Sequence, residues 1–351
     1  MPQDSKPQWH EHLNLKATNL QGFYTRSRPK DGFNPLTASA DELAKHGLPP
    51  RPEQKSDPQA HLRWSSLYGR ALNFIAPELV VRPRQAHGPR KHRQAAAEND
   101  PISFQSDSNW AGTAFQANAG QTFTQVVGSW TVPGVSPPAF GPYAGAGNWQ
   151  SVAWVGLDGF QNSDVFQAGT AQNLSTFFFI TEASYFAWTE WFPAPPVAIT
   201  NFPVSPGDFV TFDLTILSLA VDFFGVSVPT GQALVINATK GNFTIVAMAG
   251  PLNGQPDSFQ GSSAEWIVET PGFGSGASLT FAPLPYFGQV AFSNGIAFDS
   301  TGAGVFGANG IALSMQNSGA GVGRTGTSSG ATVATELADP VIFGVLAVNG
   351  G

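Results

Sequence analysis

Between residues 101 and 351 the apolar positions repeat with a period of two, and that alternation limits the fold more than any other feature of the chain. Val210, Phe212, Leu214 and Ile216 alternate with Thr211, Asp213 and Thr215, which in an extended chain turns one row toward a core and the other outward. Comparable runs stand at Thr122 to Val127, Ala153 to Leu157, Phe177 to Thr181, Ala233 to Ile236, Glu265 to Glu269 and Val341 to Val348, with glycine, proline and asparagine turns between them. No amphipathic helix of more than two turns stands among them, which argues against βαβ units. The reading is all-β, two packed antiparallel sheets in one domain. The 39 glycines and 28 prolines of the 351 residues supply the turns that such a fold needs.

Residues 1–100 are of a different kind. Of the 17 Lys and Arg in the chain, all but Lys240 and Arg324 fall there, as do all six histidines, His10, His12, His46, His61, His87 and His92. The segment is cationic and the remainder, residues 101–351, anionic. It reads as a basic, Pro-rich leader with little helix rather than as a second compact domain. Ser39 and Glu42 form a capping box and Gly47 with Pro49 and Pro50 a stop, predicting a helix over Ala40 to His46. A second helix is expected within His61 to Asn73. Arg82, Arg84, Arg90, Lys91 and Arg93 then make a cationic run of the type that proteases cut, so a maturation cut is expected between about residues 85 and 107. The acidic partner domain argues against nucleic acid as the ligand of this run. The first residues lack an apolar core and a small-residue cleavage site, so no signal peptide is read, and no stretch approaches the length of a membrane helix.

Residues 101–351 contain no cysteine and no histidine. Ser-His-Asp and Cys-His catalysis, and zinc held by His or Cys, are thereby excluded from that region. An enzyme built from it uses carboxylates for acid–base work, with a Lys240-based mechanism as the alternative. With Lys240 and Arg324 as its only basic side chains, the region gains little positive charge even when every acid is neutral, a composition that suits acid stability.

Three segments gather tryptophan, carboxylate and amide groups: Trp154 to Gly159 followed by Phe166 to Gly169, Ala187 to Pro193, and Ala264 to Glu269. Strand alternation puts Phe186, Trp188 and Glu190 on one face, and Glu265, Ile267 and Glu269 on another, with the two glutamates about 13 Å apart. Spacing alone does not choose among Glu190, Glu265 and Glu269, each of which reads as readily as a rim charge or a structural hydrogen-bond acceptor.

The ordered series Ser108-Asn109-Trp110-Ala111-Gly112, Trp130-Thr131-Val132-Pro133, Ala153-Trp154-Val155-Gly156-Leu157-Asp158-Gly159, Phe166-Gln167-Ala168-Gly169, Trp188-Thr189-Glu190-Trp191-Phe192-Pro193 and Ala264-Glu265-Trp266-Ile267-Val268-Glu269 resembles the glutamic peptidase (eqolisin) family. The likeness is distinctive over about residues 106 to 270. It implies a concanavalin-like sandwich of two seven-stranded antiparallel sheets and an acid endopeptidase with a Gln/Glu dyad. By motif, the dyad is assigned to Gln167 and Glu269 rather than Glu265, and Trp154, Asp158, Trp188 and Glu190 to the substrate cleft. The leader resembles the propeptides of bacterial members. Phe166 replaces a usual leucine and Thr189 a common aromatic residue, and the disulfides and signal peptide of fungal relatives are not seen.

The expected chemistry is hydrolysis of protein or peptide substrates without metal or organic cofactor. Histidine is protonated and useless as a base near pH 3 to 4, where a glutamate is partly ionised and a glutamine still donates its amide hydrogens. A monomer is expected, its own leader acting as an intramolecular inhibitor that covers the cleft at neutral pH, with no nucleic-acid or membrane partner. Secretion, or another route to an acidic compartment, is expected without a readable signal. The alternative is a glycan-binding or glycan-cleaving sandwich, since similar folds host both.

Overall fold

The computed structural model describes residues 9–82, 104–107, 109–137, 147–177, 180–223, 226–251, 258–273, 280–316, 330–333 and 342–348. The cationic run beyond Arg82, most of the expected maturation region and the boundary expected near residue 100 lie outside the described residues.

Two largely antiparallel sheets pack face to face. The first runs, neighbour by neighbour, through Val197–Ile199, Ile180–Phe192, Val165–Phe177, Gly147–Leu157, Ser263–Glu269, Trp110–Gln116, Ile311–Gln316 and Phe104–Asp107, the last pairing being parallel. The second runs through Ile342–Val348, Gln289–Asp299, Phe123–Thr131, Phe209–Phe223, Val226–Asn237 and Asn242–Ala249. Gly330–Val333 pairs with a strand of each and joins them at one side. Between the sheets lie Trp130, Phe212, Phe292, Phe166, Trp191, Trp266 and their aliphatic neighbours, all buried. Trp130 stacks on Phe212 with ring centroids 4.9 Å apart. Gly128 permits the close approach: a Cβ there would lie 2.6 Å from Val155 and 2.9 Å from the Trp266 ring.

The strand expectations hold except at Phe177 to Thr181. Phe177 ends one strand and Ile180 begins the next, paired opposite one another and both well exposed, while residues 178–179 lie outside the described residues. A continuous apolar run reads as a buried strand, and neither periodicity nor composition distinguishes it from a hairpin tip.

In the leader, the Ser39–Glu42 capping box starts the helix Ala40–Lys45 as expected. The second helix, Pro58–Tyr68, begins earlier than read because Asp57 caps it, its carboxylate accepting the Ala60 N–H at 2.8 Å, with Pro58 in the first turn. The leader also adds strands to both sheets. Phe23–Thr25 extends the second sheet beyond Asn242–Ala249, and Leu79–Val81 extends the first beyond Val197–Ile199. The Asn19 side chain ties the two leader segments, bonding the N–H and C=O of Leu79 at 2.8 and 2.9 Å.

The bulk of the leader packs on the outer face of the second sheet. Leu43, Leu48, Trp64 and Tyr68 bury against Leu234, Ile236, Phe243 and Ile245, each fully buried large side chain contributing about 1.5–3 kcal/mol. Asp213, from the row expected to face outward, is covered there: it accepts hydrogen bonds from the Tyr68 hydroxyl at 2.8 Å, from the Gln125 amide and from Thr215.

Candidate active site

The outer face of the first sheet, on the opposite side of the sandwich from the leader helices, carries the expected functional residues. Strand register arranges them in cross-strand rows. Glu190 lies opposite Gln167, Gln167 opposite Gly156, Gly156 opposite Glu265, and Glu265 opposite Ala114. The next row is Trp188, Gly169, Trp154, Ile267 and Gly112, and the one after it Phe186, Ala171, Val152, Glu269 and Trp110.

Two glycines shape the floor. Gly156 lies between Glu265 and Gln167, and a Cβ on it would sit 2.7 Å from the Trp154 ring and 3.4 Å from Oε2 of Glu265. Gly169 lies between Trp154 and Trp188, where a Cβ would fall 2.6 Å from the Trp154 Cβ. The glycines of the Trp-Val-Gly and Gln-Ala-Gly motifs thus let Trp154 pack closely between the functional groups.

The Gln167 amide donates from Nε2 to Oε2 of Glu190 at 3.1 Å, which fixes the amide's orientation. Thr189, which follows the pleat to the other face, donates its hydroxyl to the Gln167 carbonyl at 3.1 Å and secures the same strand pair. Glu265 differs from every other carboxylate in the row. Its side chain is completely buried, and neither oxygen makes a hydrogen bond among the described residues. Burial pushes its carboxyl well above the usual carboxylate range, with the charge of Asp158 adding to the rise and the nearby Ser263 hydroxyl opposing it.

Glu269 is engaged elsewhere. Its Oε2 accepts the Trp154 indole N–H at 2.8 Å and its Oε1 the Asn109 amide at 3.1 Å. Trp110 meets Trp154 edge to face at 4.9 Å, completing the brace around that indole. Register puts Glu265, rather than the expected Glu269, in the row of Gln167. Glu265 is two strand spacings from Gln167, about 10 Å between backbones, whereas Glu269 is four residues farther along its strand, about 16 Å away, beyond the row of Trp154. Two long side chains can converge on one water across the first distance but not the second.

Asp158, expected at the cleft, makes its hydrogen bonds to a loop. It adopts φ of 69° at the end of its strand, and its carboxylate accepts from the N–H groups of Gln260, Gly261 and Ser262 and from the Ser262 hydroxyl, at 2.7 to 2.9 Å. It pins the loop that leads into the Glu265 strand. Trp154, Trp188 and Glu190 do lie with Gln167, in the same or the adjacent row. Among the described residues no group of three His, Asp or Glu side chains could hold a metal ion. Sequence reasoning does not single out Asn109 or the glycine floor. Strand alternation already placed both glutamates on one face, and only the identity of the cross-strand neighbour separates them.

A family model described as the Peptidase A4 family matches residues 108–336. Aspergillopepsin-2 of Aspergillus niger is 31% identical over 220 residues, covering 59% of this chain and 70% of its own length. Scytalidopepsin B of Scytalidium lignicola is 26% identical over 163 residues, 46% of this chain and 52% of its own. The solved structure of scytalido-glutamic peptidase with a transition state analog inhibitor aligns with 69% of this chain and 98% of its own, at 20% identity and a TM-score of 0.51, a likeness of fold.

Proposed function

The chain belongs to the Peptidase A4 family and is a glutamic endopeptidase, and on that premise we propose that it cleaves proteins in acid with Gln167 and Glu265 as the catalytic pair. The observation that carries this reading is the row Glu190, Gln167, Gly156, Glu265: an oriented amide and a buried carboxyl, the latter without a hydrogen bond among the described residues, flank one glycine on the outer sheet face.

A water over Gly156 is the nucleophile. Ionised Glu265 takes its proton as the oxygen attacks the scissile carbonyl, and Gln167 donates an amide hydrogen to the developing oxyanion, a contribution of about 3 kcal/mol for one such donor. Glu265 then returns the proton to the leaving amine, so the carboxylate is regenerated and the C–N bond is replaced by C–O and N–H. Glu190 positions the Gln167 amide. Trp154 and Trp188 wall the adjacent row, where substrate side chains lie, and Glu269 with Asn109 orients the Trp154 indole.

Residues 1–100 serve in this reading as a propeptide, removed on maturation and inhibitory while attached, and the product acts in an acidic compartment or outside the cell. The joining of leader strands to the edges of both sheets supports a leader that folds with the sandwich. The test is proteolysis of an unfolded protein by the leader-free enzyme from pH 2 to 7, comparing Glu265→Gln, Gln167→Ala and Glu269→Gln. Loss in the first two with a retained fold supports the pair. Full activity in Glu265→Gln with loss in Glu269→Gln would return the base to Glu269.

A further inference from the structure

We propose that the leader is fastened to the outer face of the second sheet by an acid-labile joint at His46, docked while the imidazole is neutral and loosened when it is protonated. The residue caps the helix Ala40–Lys45 and is 7% exposed. Its Nδ1 lies 3.0 Å from the Ser27 carbonyl, and its ring meets Phe33 edge to face at 4.8 Å.

The joint is mechanically coupled to the sandwich through the next residue. Gly47 has φ of 69°, and a Cβ on it would lie 2.6 Å from Cδ1 of Ile245, so only glycine lets the leader backbone come this close. The Gly47 carbonyl accepts the Gln232 amide at 2.8 Å, and Gln232 Oε1 accepts from Nε and Nη2 of Arg26 at 3.2 and 3.1 Å. Arg26 in turn donates from Nη1 to the Leu13 carbonyl at 2.8 Å. A displacement of His46 is thus passed to a polar fork that crosses from leader to sheet.

The two sandwich strands that pack against the joint offer no charge to receive a protonated ring. The strands packed here, Val226–Asn237 and Asn242–Ala249, contain no ionisable residue. On the leader side stand Arg26 and Lys45, both cationic, with Arg28 and Lys30 in the Ser27 segment and Asp31 exposed beyond them. The carboxylate that acts on the ring is Glu42, already bonded to the Ser39 N–H and hydroxyl in the capping box. Burial, the larger effect, and the neighbouring Lys45 and Arg26 hold the His46 ring below its ordinary value, against the pull of the Ser27 carbonyl and Glu42.

In water the ring takes up a proton near pH 6.5, while in the docked state it resists. Docking is fully favoured above that pH and weakens as pH falls below it. Asp213 works the other way, since burial raises its docked carboxyl above the ordinary value and lower pH favours the docked form through that group. Comparison with a variant that lacks only the imidazole separates the two.

In the intact chain, carrying Gln167→Ala so that it cannot cut itself, hydrogen exchange is followed at pH 7 and pH 5, corrected for intrinsic exchange, with and without His46→Gln. Protection of Pro58–Tyr68 and Phe23–Thr25 falls severalfold between the two pH values when His46 is present, because the docked ring binds its proton more weakly than a free one. With glutamine the fall is less than about twofold, and Ser263–Glu269 is unchanged in both. An equal fall in both, or none with histidine, overturns the joint. Should glutamine strip protection at pH 7 already, NMR titration of the native ring decides: a midpoint below 6.5 supports the proposal and one at or above it sinks it. None of these readouts depends on catalysis.

Discussion

Glu265 and Gln167 stand on opposite sides of a single glycine, Gly156, each directly across a strand boundary from it. The proposed chemistry rests on that juxtaposition of a carboxyl and an amide. Glu269, four residues on, points to the same side of the sheet but holds an indole instead.

Replacing the two glutamates therefore has unequal consequences. Glu265→Gln lowers kcat/KM by about 10²- to 10⁴-fold, the usual worth of a general base, with an unaltered CD spectrum. Glu269→Gln retains an acceptor for the Trp154 N–H and loses no more than about a hundredfold, through misplacement of the indole.

Adding a side chain at Gly156 disturbs that juxtaposition. Gly156→Ala places a methyl group 2.7 Å from the Trp154 ring and 3.4 Å from Glu265, so the variant is destabilised by about 1–3 kcal/mol and proteolysis is lost. Thermal unfolding and a peptide assay separate the two effects.

The pH profile carries the mark of burial. Glu265 is active as a base only when ionised, so kcat/KM rises with pH through its pKa and falls on the acid side. Because burial holds that group above the ordinary glutamate value of 4.5, the acid limb has its midpoint above 4.5. A limb centred below 4 in the unsubstituted enzyme contradicts this.

Acid stability has a local contributor in Asp299, which accepts from the hydroxyl and N–H of Thr301, the N–H of Ala303 and the Gln121 amide. The Thr301 hydroxyl leads in holding its carboxyl down to about 2. The group favours the folded state above its unfolded value near 3.9 and loses that effect as pH falls through 2. Asp299→Asn accordingly melts earlier than the native chain at pH 7, and the difference in melting temperature vanishes near pH 2.

Tyr68→Phe removes a buried hydroxyl from Asp213 and destabilises leader docking by about 1–3 kcal/mol. Denaturant unfolding of the intact chain registers it as a lower midpoint for the leader signal from Trp64, with the sandwich transition unmoved.

Much of this molecule could be read in one dimension. Period-two alternation reports which side of a strand is wet, so the strands around Val210 and Glu265 were visible, and capping chemistry is local enough that Ser39 and Glu42 announced their helix. The motifs around Trp154, Gln167 and Glu190 also resemble a known family closely enough to name that family. The hairpin tip at Phe177 and Ile180 was misread because hydrophobic residues at an exposed turn have the same composition as a buried strand.

What the chain alone determined, then, was the all-β class, the division into a basic leader and an acidic sandwich, and the face on which each candidate side chain lies, because alternation and charge are properties of neighbours in sequence. The tertiary structure decided which of two same-face glutamates shares a row with Gln167, that Asp158 staples a loop, and that the leader grips the far side of the sandwich and an edge of each sheet. Those outcomes depend on which residue of one strand stands opposite which residue of another. Register is fixed by packing over the whole sheet and leaves no mark on the local sequence.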